Sequence, residues 1–294
     1  MIIGTRGSQL ALWQANDLQT KLNNIGLASR LEIIKTKGDK IQDLSFDKIE
    51  GKGFFTKEIE EALLAKSIDI AVHSLKDLPT NHPKGLVIAA LSEREDCSDL
   101  LIINKNAIDT SQVLKLKSGA IVGTSSVRRK SQILDLAPHV KVEDLRGNVP
   151  TRVSKLDTEK YDAIILASAG INRLSLDLSK YETIRLNPVE FVPAPAQGVI
   201  AYQINEENIA LRKKLVKIHQ QQVGKATNVE RKILNLMEGG CQMPLGVFCK
   251  IDSKGYYHVY AAFSKHLDQD LTRVNISRST SNNLAEDVVS ALKK

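Results

Sequence analysis

Hydrophobic and polar positions along this chain switch repeatedly between a period near 3.6 and short apolar runs. Ala11, Ala15, Leu18 and Leu22 share one helical face, and Ser8 can cap that helix. Residues 31–36 read as a strand. Ile59, Ala62 and Leu63 mark a second helix running to Ser67, followed by short buried strands over 69–73 and 87–91. A similar set comes next. Residues 120–123 predict a strand, Ser126 can cap a helix that Pro138 stops, and 140–145 predict another strand. A Gly-Asn turn then leads to a helix through Val153 and Leu156, and a strand over 162–167 leads to a helix after Gly170. Strand, tight polar turn, helix is the unit of a doubly wound sheet, whose ligands bind at the carboxyl ends of the strands.

Pro188, Pro193 and Pro195 interrupt this rhythm and mark a return of the chain from a second lobe to the first; the outward crossing falls at 92–99. Two crossings between two lobes imply a cleft. Beyond residue 218 the pattern changes. Thr227 and Glu230 have the spacing of a capping box, Val229, Ile233, Leu236 and Met237 follow at helical spacing, and Gly239 and Gly240 end the helix. A strand over 256–263 and a helix over Leu284–Leu292 complete a small α+β part. The predicted domains are 1–95 with 193–217, 96–192, and 218–294.

The 42% hydrophobic content supports a real core, but aromatic residues make up only 4%, so aliphatic side chains must fill it. Lys and Arg (41) exceed Asp and Glu (34), giving a formal charge of +7. That balance suits nucleic acid, an anionic membrane or an acidic small molecule, and equally a plain lysine-rich surface. No apolar stretch is long enough to span a bilayer, and the N-terminus has no basic region followed by an apolar run, so a cytoplasmic location is expected. Cys97, Cys241 and Cys249 are too few and too scattered for a disulfide framework, and no CxxC or HExxH spacing suggests zinc.

Arginine concentrates in turns. Thr5-Arg6-Gly7-Ser8, Gly123-Thr124-Ser125-Ser126-Val127-Arg128-Arg129, Leu145-Arg146-Gly147-Asn148-Val149-Pro150-Thr151-Arg152 and Ala169-Gly170-Ile171-Asn172-Arg173 each place hydroxyls or backbone N–H groups and a guanidinium at a predicted helix start. Any one of them can be a local cap or ion pair. Four of one design point to a single ligand with many negative charges. A phosphate loop is absent, as is GxGxxG after a strand, and the basic residues are not interleaved with aromatics as a single-strand nucleic-acid platform requires. Lys76 and Asp77 close the predicted strand at 69–73. They can simply pair, but a carboxylate facing a positive cleft can also stabilise a cation. Residues 51–57 read as a basic loop, or as an ordinary linker. Cys241 follows Gly239-Gly240; most cysteines are inert, though one in such a loop can act as a nucleophile. Cys97 and Cys249 read as structural.

Taken in order, segments 4–14, 52–57, 69–77, 93–96, 123–129, 146–152, 161–173, 193–198 and 238–244 resemble those of the porphobilinogen deaminase (hydroxymethylbilane synthase) family, over nearly the whole chain. The resemblance implies two α/β lobes like those of type II periplasmic binding proteins and a small α+β C-terminal domain. It implies a monomeric transferase of tetrapyrrole (haem) biosynthesis that joins four porphobilinogen units head to tail into hydroxymethylbilane, releasing ammonia each time. Its primer would be a dipyrromethane held by a thioether to Cys241. Asp77 would hold pyrrole N–H groups and stabilise a cationic azafulvene. Arg6, Ser8, Ser74, Lys76, Thr124, Ser126, Arg128, Arg129, Arg146, Arg152 and Arg173 would bind carboxylates. Gln14, Lys52 and Phe55 would lie near the active-site loop and cleft, with Gln197 in the hinge-side segment. Porphobilinogen would be the partner, with no nucleic acid and no membrane. Ala196 stands where many members have glycine, which implies a modest backbone adjustment; Pro150 also replaces a common glycine, at a helix start that accepts proline, and the third domain is short. Two readings compete: a solute-binding module for an anionic metabolite, which predicts export and leaves Cys241 and Asp77 without roles, and a nucleic-acid binder, which predicts steep salt dependence.

Overall fold

The structure, a computed structural model, describes residues 1–36, 56–158, 160–239, 243–265 and 271–294. The chain forms two compact units, Met1–Glu95 with Ala196–Asn228, and Asp96–Pro195 with Val229–Lys294.

The first unit is a five-stranded sheet. Its strands are β1 (Ile2–Thr5), β2 (Arg30–Ile33), β3 (Ile70–Ser74), β4 (Leu86–Leu91) and, after five strands of the other unit, β10 (Ile200–Asn205). The order is β2-β1-β3-β10-β4: β1 runs parallel to β2 and β3, and β10 runs antiparallel to β3 and β4. Helix α1 (Gln9–Asn24) covers one face, packing Ala15, Leu18 and Leu22 on Ile3, Ile70 and Val72. Helix α2 (Lys57–Leu64) covers the other with Ile59 and Leu63 on Ala71. A sheet covered on both faces reads as continuous apolar runs, which is how β3 appears in the sequence.

The second unit repeats the plan. β5 (Asp99–Ile103), β6 (Ile121–Gly123), β7 (Lys141–Glu143), β8 (Ala163–Ala167) and β9 (Glu182–Arg185) take the order β7-β6-β8-β5-β9. Here β6 is parallel to β7 and β8, while β5 is antiparallel to β8 and β9. Helices α3 (Val127–Leu136), α4 (Val149–Ser154) and α5 (Ser168–Leu174) follow β6, β7 and β8. In each sheet the antiparallel strand, β10 or β5, is the first one after the chain changes unit. A short helix α6 (Ile209–Leu215) closes the first unit, and the division between units falls within α7 (Gln221–Leu236). The antiparallel sheet β11 (Leu245–Ile251), β12 (Tyr257–Phe263), β13 (Thr272–Arg278) then turns Val247, Cys249, Val259 and Ala261 inward, and α8 (Leu284–Leu292) buries Leu284, Val288 and Leu292. The α/β class, with two doubly wound lobes and a small α+β part, is as expected.

Two local expectations are corrected. Thr227 and Glu230 do not cap a helix. They lie inside α7, where the Thr227 hydroxyl donates to the carbonyl oxygen of Val223 (2.8 Å) and the Glu230 carboxylate accepts from the Cys249 N–H (2.8 Å). The helix begins at Gln221, about a turn and a half before the polar pair that imitates a cap. Among the described residues, Glu238 and not Gly239 makes the left-handed turn after this helix, at φ 57°. Ala196 holds φ 63°, so the strain of a left-handed residue is carried by an alanine.

One buried cluster ties the second unit together. Asp99, at the start of β5, has 0% exposure. Arg128 Nη1 donates to its Oδ2 (2.7 Å), and Arg129 donates to its Oδ1 through Nε (3.1 Å) and Nη2 (2.8 Å). Arg128 also reaches the carbonyl of Val192 (3.0 Å) and Arg129 that of Ile165 (3.0 Å), so α3 is pinned to β5, β8 and the segment before Pro193. Burial by itself would push the Asp99 carboxyl up. The two guanidiniums outweigh it and hold the group well below the usual carboxylate range. A carboxyl whose pKa is lower folded than unfolded stabilises above its unfolded value of about 3.9, and that contribution is lost as pH falls through the folded value.

Asp99→Asn, which leaves two buried cations without a counter-charge, is expected to lower stability at neutral pH by about 3–5 kcal/mol. Urea titrations at several pH values should show the deficit shrinking toward strong acid. At Gly198, φ is 91° and a Cβ would lie 2.4 Å from the Glu95 carbonyl oxygen. Gly198→Ala is therefore expected to lower stability by about 2 kcal/mol or more, read as a drop in melting temperature.

Candidate functional site

The C-terminal ends of β1 and β3 open into a pocket of the first unit, lined by Arg6, Ser8, Leu10, Ala11, Gln14, Thr56, Val72, His73, Ser74 and Asp77. The chain builds it from three junctions. After β1, Arg6 leads to Ser8, whose hydroxyl accepts from the Ala11 N–H (3.3 Å) and starts α1. After β3, a single 3-10 turn over Leu75–Asp77 is anchored by the buried Leu75 and Leu78, and by the Leu75 N–H on the Val199 carbonyl (2.9 Å). With Leu75 and Leu78 inside, Lys76 is left partly exposed and Asp77 exposed. Thr56, at the start of α2, supplies the third side.

Polar side chains in this pocket are held by others. Gln14, buried on α1, donates Nε2 to Ser74 Oγ (2.9 Å). Lys76 Nζ donates to Gln197 Oε1 (3.4 Å), and the Gln197 carbonyl accepts from Arg94 Nε (3.0 Å). Beneath lies a layer that the sequence did not reveal. The Glu60 carboxylate, 6% exposed, accepts from Thr56 Oγ1 (3.3 Å) and Gln203 Nε2 (3.1 Å), and burial raises its pKa against those two bonds. Burial pushes the His73 imidazole down to about 4; a Gln203 contact opposes this, while His82 and Arg6 add to it. His73 is therefore neutral near pH 7.

Of the residues singled out from the sequence, the structure gathers Arg6, Ser8, Gln14, Ser74 and Asp77 at one pocket, with Lys76 and Gln197 adjoining. Thr124, Ser126, Arg128, Arg129, Arg146, Arg152 and Arg173 belong to the second unit. The loops after β6 and β7 are adjacent there: Ser125 Oγ donates to the Leu145 carbonyl (2.8 Å) and accepts from its N–H (3.1 Å). Thr124 Oγ1 accepts from the Ser126 N–H (3.2 Å), while Ser126 starts α3 without a side-chain cap bond. Asn148 caps α4, accepting from the Thr151 N–H (3.0 Å), and Arg152 Nε donates to the Gly147 carbonyl (2.7 Å). Gly147 holds φ 113°, with a Cβ position 2.7 Å from Thr151, so this turn needs glycine.

Two readings change. Arg173 is not at a helix start; it lies in the last turn of α5, because that helix begins at Ser168 and takes in Gly170. Arg128 and Arg129 do begin a helix, yet both are committed to Asp99, a partner that sequence did not suggest. What Arg129 offers a ligand is mainly its charge, since Nε, Nη1 and Nη2 all have protein acceptors. Lys52, Phe55 and Cys241 lie outside the described residues.

The donor set suits an acidic ligand. Arg6, Ser8, Gln14 and Ser74 offer a cation, hydroxyls and an amide around one pocket, and Asp77 is the carboxylate among them. In the second unit, two buried guanidiniums share one carboxylate, leaving positive charge that an anion can neutralise. Each feature, taken by itself, suits the carboxylate groups that a pyrrole carrying acetate and propionate presents. Among the described residues, no group of three or more His, Cys, Asp or Glu side chains could hold a metal ion, and no helix is long and apolar enough to cross a membrane.

The family model for "porphobilinogen deaminase, dipyromethane cofactor binding domain" matches residues 1–213. The porphobilinogen deaminase of Sulfurimonas denitrificans is 44% identical over 263 residues, 89% of this chain and 82% of that protein. That of Chloroherpeton thalassium is 41% identical over 286 residues, 94% of this chain and 88% of that protein. Among solved structures, a putative methionine-binding lipoprotein from Bacillus subtilis is similar at a TM-score of 0.42 and 12% identity, covering 76% of this chain and 91% of that one, a likeness too loose to bear on a ligand. With the family model spanning residues 1–213 and these relatives more than 40% identical over most of their own length, the chain belongs to the porphobilinogen deaminase family.

Proposed function

We propose that this protein condenses four porphobilinogen units head to tail into hydroxymethylbilane, with loss of ammonia at each addition, as a cytoplasmic monomer with no nucleic-acid or membrane partner. The observation that carries this reading is the gathering of Arg6, Ser8, Gln14, Ser74 and Asp77 at one pocket in a chain of this family. A dipyrromethane, held by a thioether to Cys241, supplies the primer to which units are added.

The roles of the side chains follow from charge. Arg6, Ser8 and Ser74 take the acetate or propionate of porphobilinogen, and Gln14 aims the Ser74 hydroxyl. Lys76, placed by Gln197, adds a second cation. Holding the carboxylates fixes the ring, so the reacting carbon stays in place without a covalent bond to this pocket. Asp77 accepts the pyrrole N–H and opposes the positive charge that spreads over the incoming ring as its carbon–nitrogen bond breaks. Its exposure lets a ring approach, and the buried Leu75 and Leu78 keep its backbone fixed. In the second unit, Thr124, Ser126, Arg128, Arg146, Arg152 and Arg173 serve the carboxylates of the primer and the growing chain, and Arg129 supports them through Asp99.

Intact mass spectrometry of purified protein is expected to show the chain plus two linked pyrrole units, absent from Cys241→Ser; an unmodified mass in active protein contradicts covalent attachment. Asp77→Asn is expected to fold normally while its turnover of porphobilinogen falls by about a hundredfold or more. Wild-type turnover in that variant contradicts the assignment.

A further inference from the structure

Helix α3 carries, one turn beyond Arg128, a polar side chain to which the binding roles assign nothing. Gln132 is 1% exposed, and both ends of its amide meet the backbone of a single residue. Its Oε1 accepts from the Val192 N–H (2.6 Å), and its Nε2 donates to the Val192 carbonyl (2.9 Å). A side-chain amide thus does for this irregular segment what a neighbouring strand would do, and satisfies both backbone groups of a buried residue. The Val192 carbonyl has a second lone pair. Arg128 Nη1 donates to that oxygen (3.0 Å) as well as to Asp99 Oδ2 (2.7 Å). All four residues belong to the second unit.

The clamp sets how Arg128 meets a ligand. Arg129 has acceptors on Nε, Nη1 and Nη2. Arg128 engages Nη1 alone, and among the described residues its Nε and Nη2 have no acceptor. Two acceptors on one nitrogen, supplied by separate segments, hold the guanidinium plane and turn its other edge to a carboxylate. Without Gln132 the Val192 backbone is released, and Arg128 can close with both its Nη groups on Asp99. The same segment seats the strand that follows Cys241. The Val247 N–H donates to the Pro193 carbonyl (2.9 Å), and a Cβ at Gly246 would lie 2.4 Å from the Val192 carbonyl oxygen. We propose that Gln132 is a positioning residue for the covalent primer, clamping Val192 so that the outer edge of Arg128 and the start of β11 keep one fixed relation. This rests on the reading of the primer given above.

Intact mass spectrometry of the purified full chain tests this through the ratio of molecules carrying two linked pyrrole units to molecules without them. Gln132→Leu removes both bonds to Val192, and its ratio is expected to fall about tenfold, the equivalent of one hydrogen bond of about 1.4 kcal/mol. Gln132→Glu keeps the shape and the acceptor but loses the donor; read in the same way, it decides the matter if Gln132→Leu does not fold. Ile133→Val, at a buried neighbour on the same helix, lowers the melting temperature and is expected to keep the wild-type ratio. In the loaded fraction of the Gln132 variant, KM for porphobilinogen should change less than about twofold, because the incoming ring is held by Arg6 and Ser74 of the other unit. Wild-type loading in the Gln132 variant overturns the inference and leaves the function intact. So does an equal loss of loading in Ile133→Val, or a KM that rises in step with the loss. If wild-type protein carries no pyrrole units at all, the reading of the primer fails and this inference fails with it.

Discussion

Two guanidiniums bearing on one fully buried carboxylate set the terms for the second unit. In a low-dielectric interior the two guanidiniums would be costly to bury without Asp99, and Asp99 could not stay ionised without them. The triad stabilises the fold by pinning α3 to β5 and β8, and it is chemically incomplete, since two positive charges meet one negative. An acidic ligand completes the balance. The first unit follows the same logic with lighter means: Arg6 is anchored at a strand end beside hydroxyls and an amide already held by their neighbours, so that little rearrangement accompanies the arrival of a carboxylate.

The topology explains why such groups collect. Where β1 and β3, or β6, β7 and β8, run parallel, their carboxyl ends lie along one edge, and each is followed by a helix or a turn that leaves N–H groups and short polar side chains there. The same edge carries Asp77, thrown outward by a turn whose apolar residues are buried. Binding groups and the Asp77 carboxylate therefore share a frame fixed by the sheet, which a stepwise addition needs if each ring is to meet Asp77 in the same way.

Much of this was legible in the sequence because it is local. Ser8 as a cap, β3 as a short apolar run and α8 as a closing helix are written in neighbouring residues. So is the recurrence of arginine after strands. What the sequence hid is long-range. Asp99 looked like part of a crossing, because nothing near it in sequence announces partners about thirty positions away. Glu60 and Gln203 are 143 positions apart, so their polar layer has no local signal at all. Thr227 and Glu230 misled for the opposite reason: the spacing of a cap occurs by chance inside a helix, and only the backbone tells the two apart. Ala196 shows a further limit, since a residue type that usually avoids left-handed φ holds it here when its neighbours demand it.

The central claim is that one pocket of the first unit grips the carboxylates of porphobilinogen and presents its ring to residue 77. The most direct measurement is a crystal structure of Asp77→Asn soaked with porphobilinogen. The account predicts a pyrrole in this pocket, a carboxylate against Arg6 and Ser74, and the ring N–H turned to the residue 77 side chain. Porphobilinogen bound with its carboxylates away from Arg6, or bound elsewhere while this pocket holds only solvent, would contradict it.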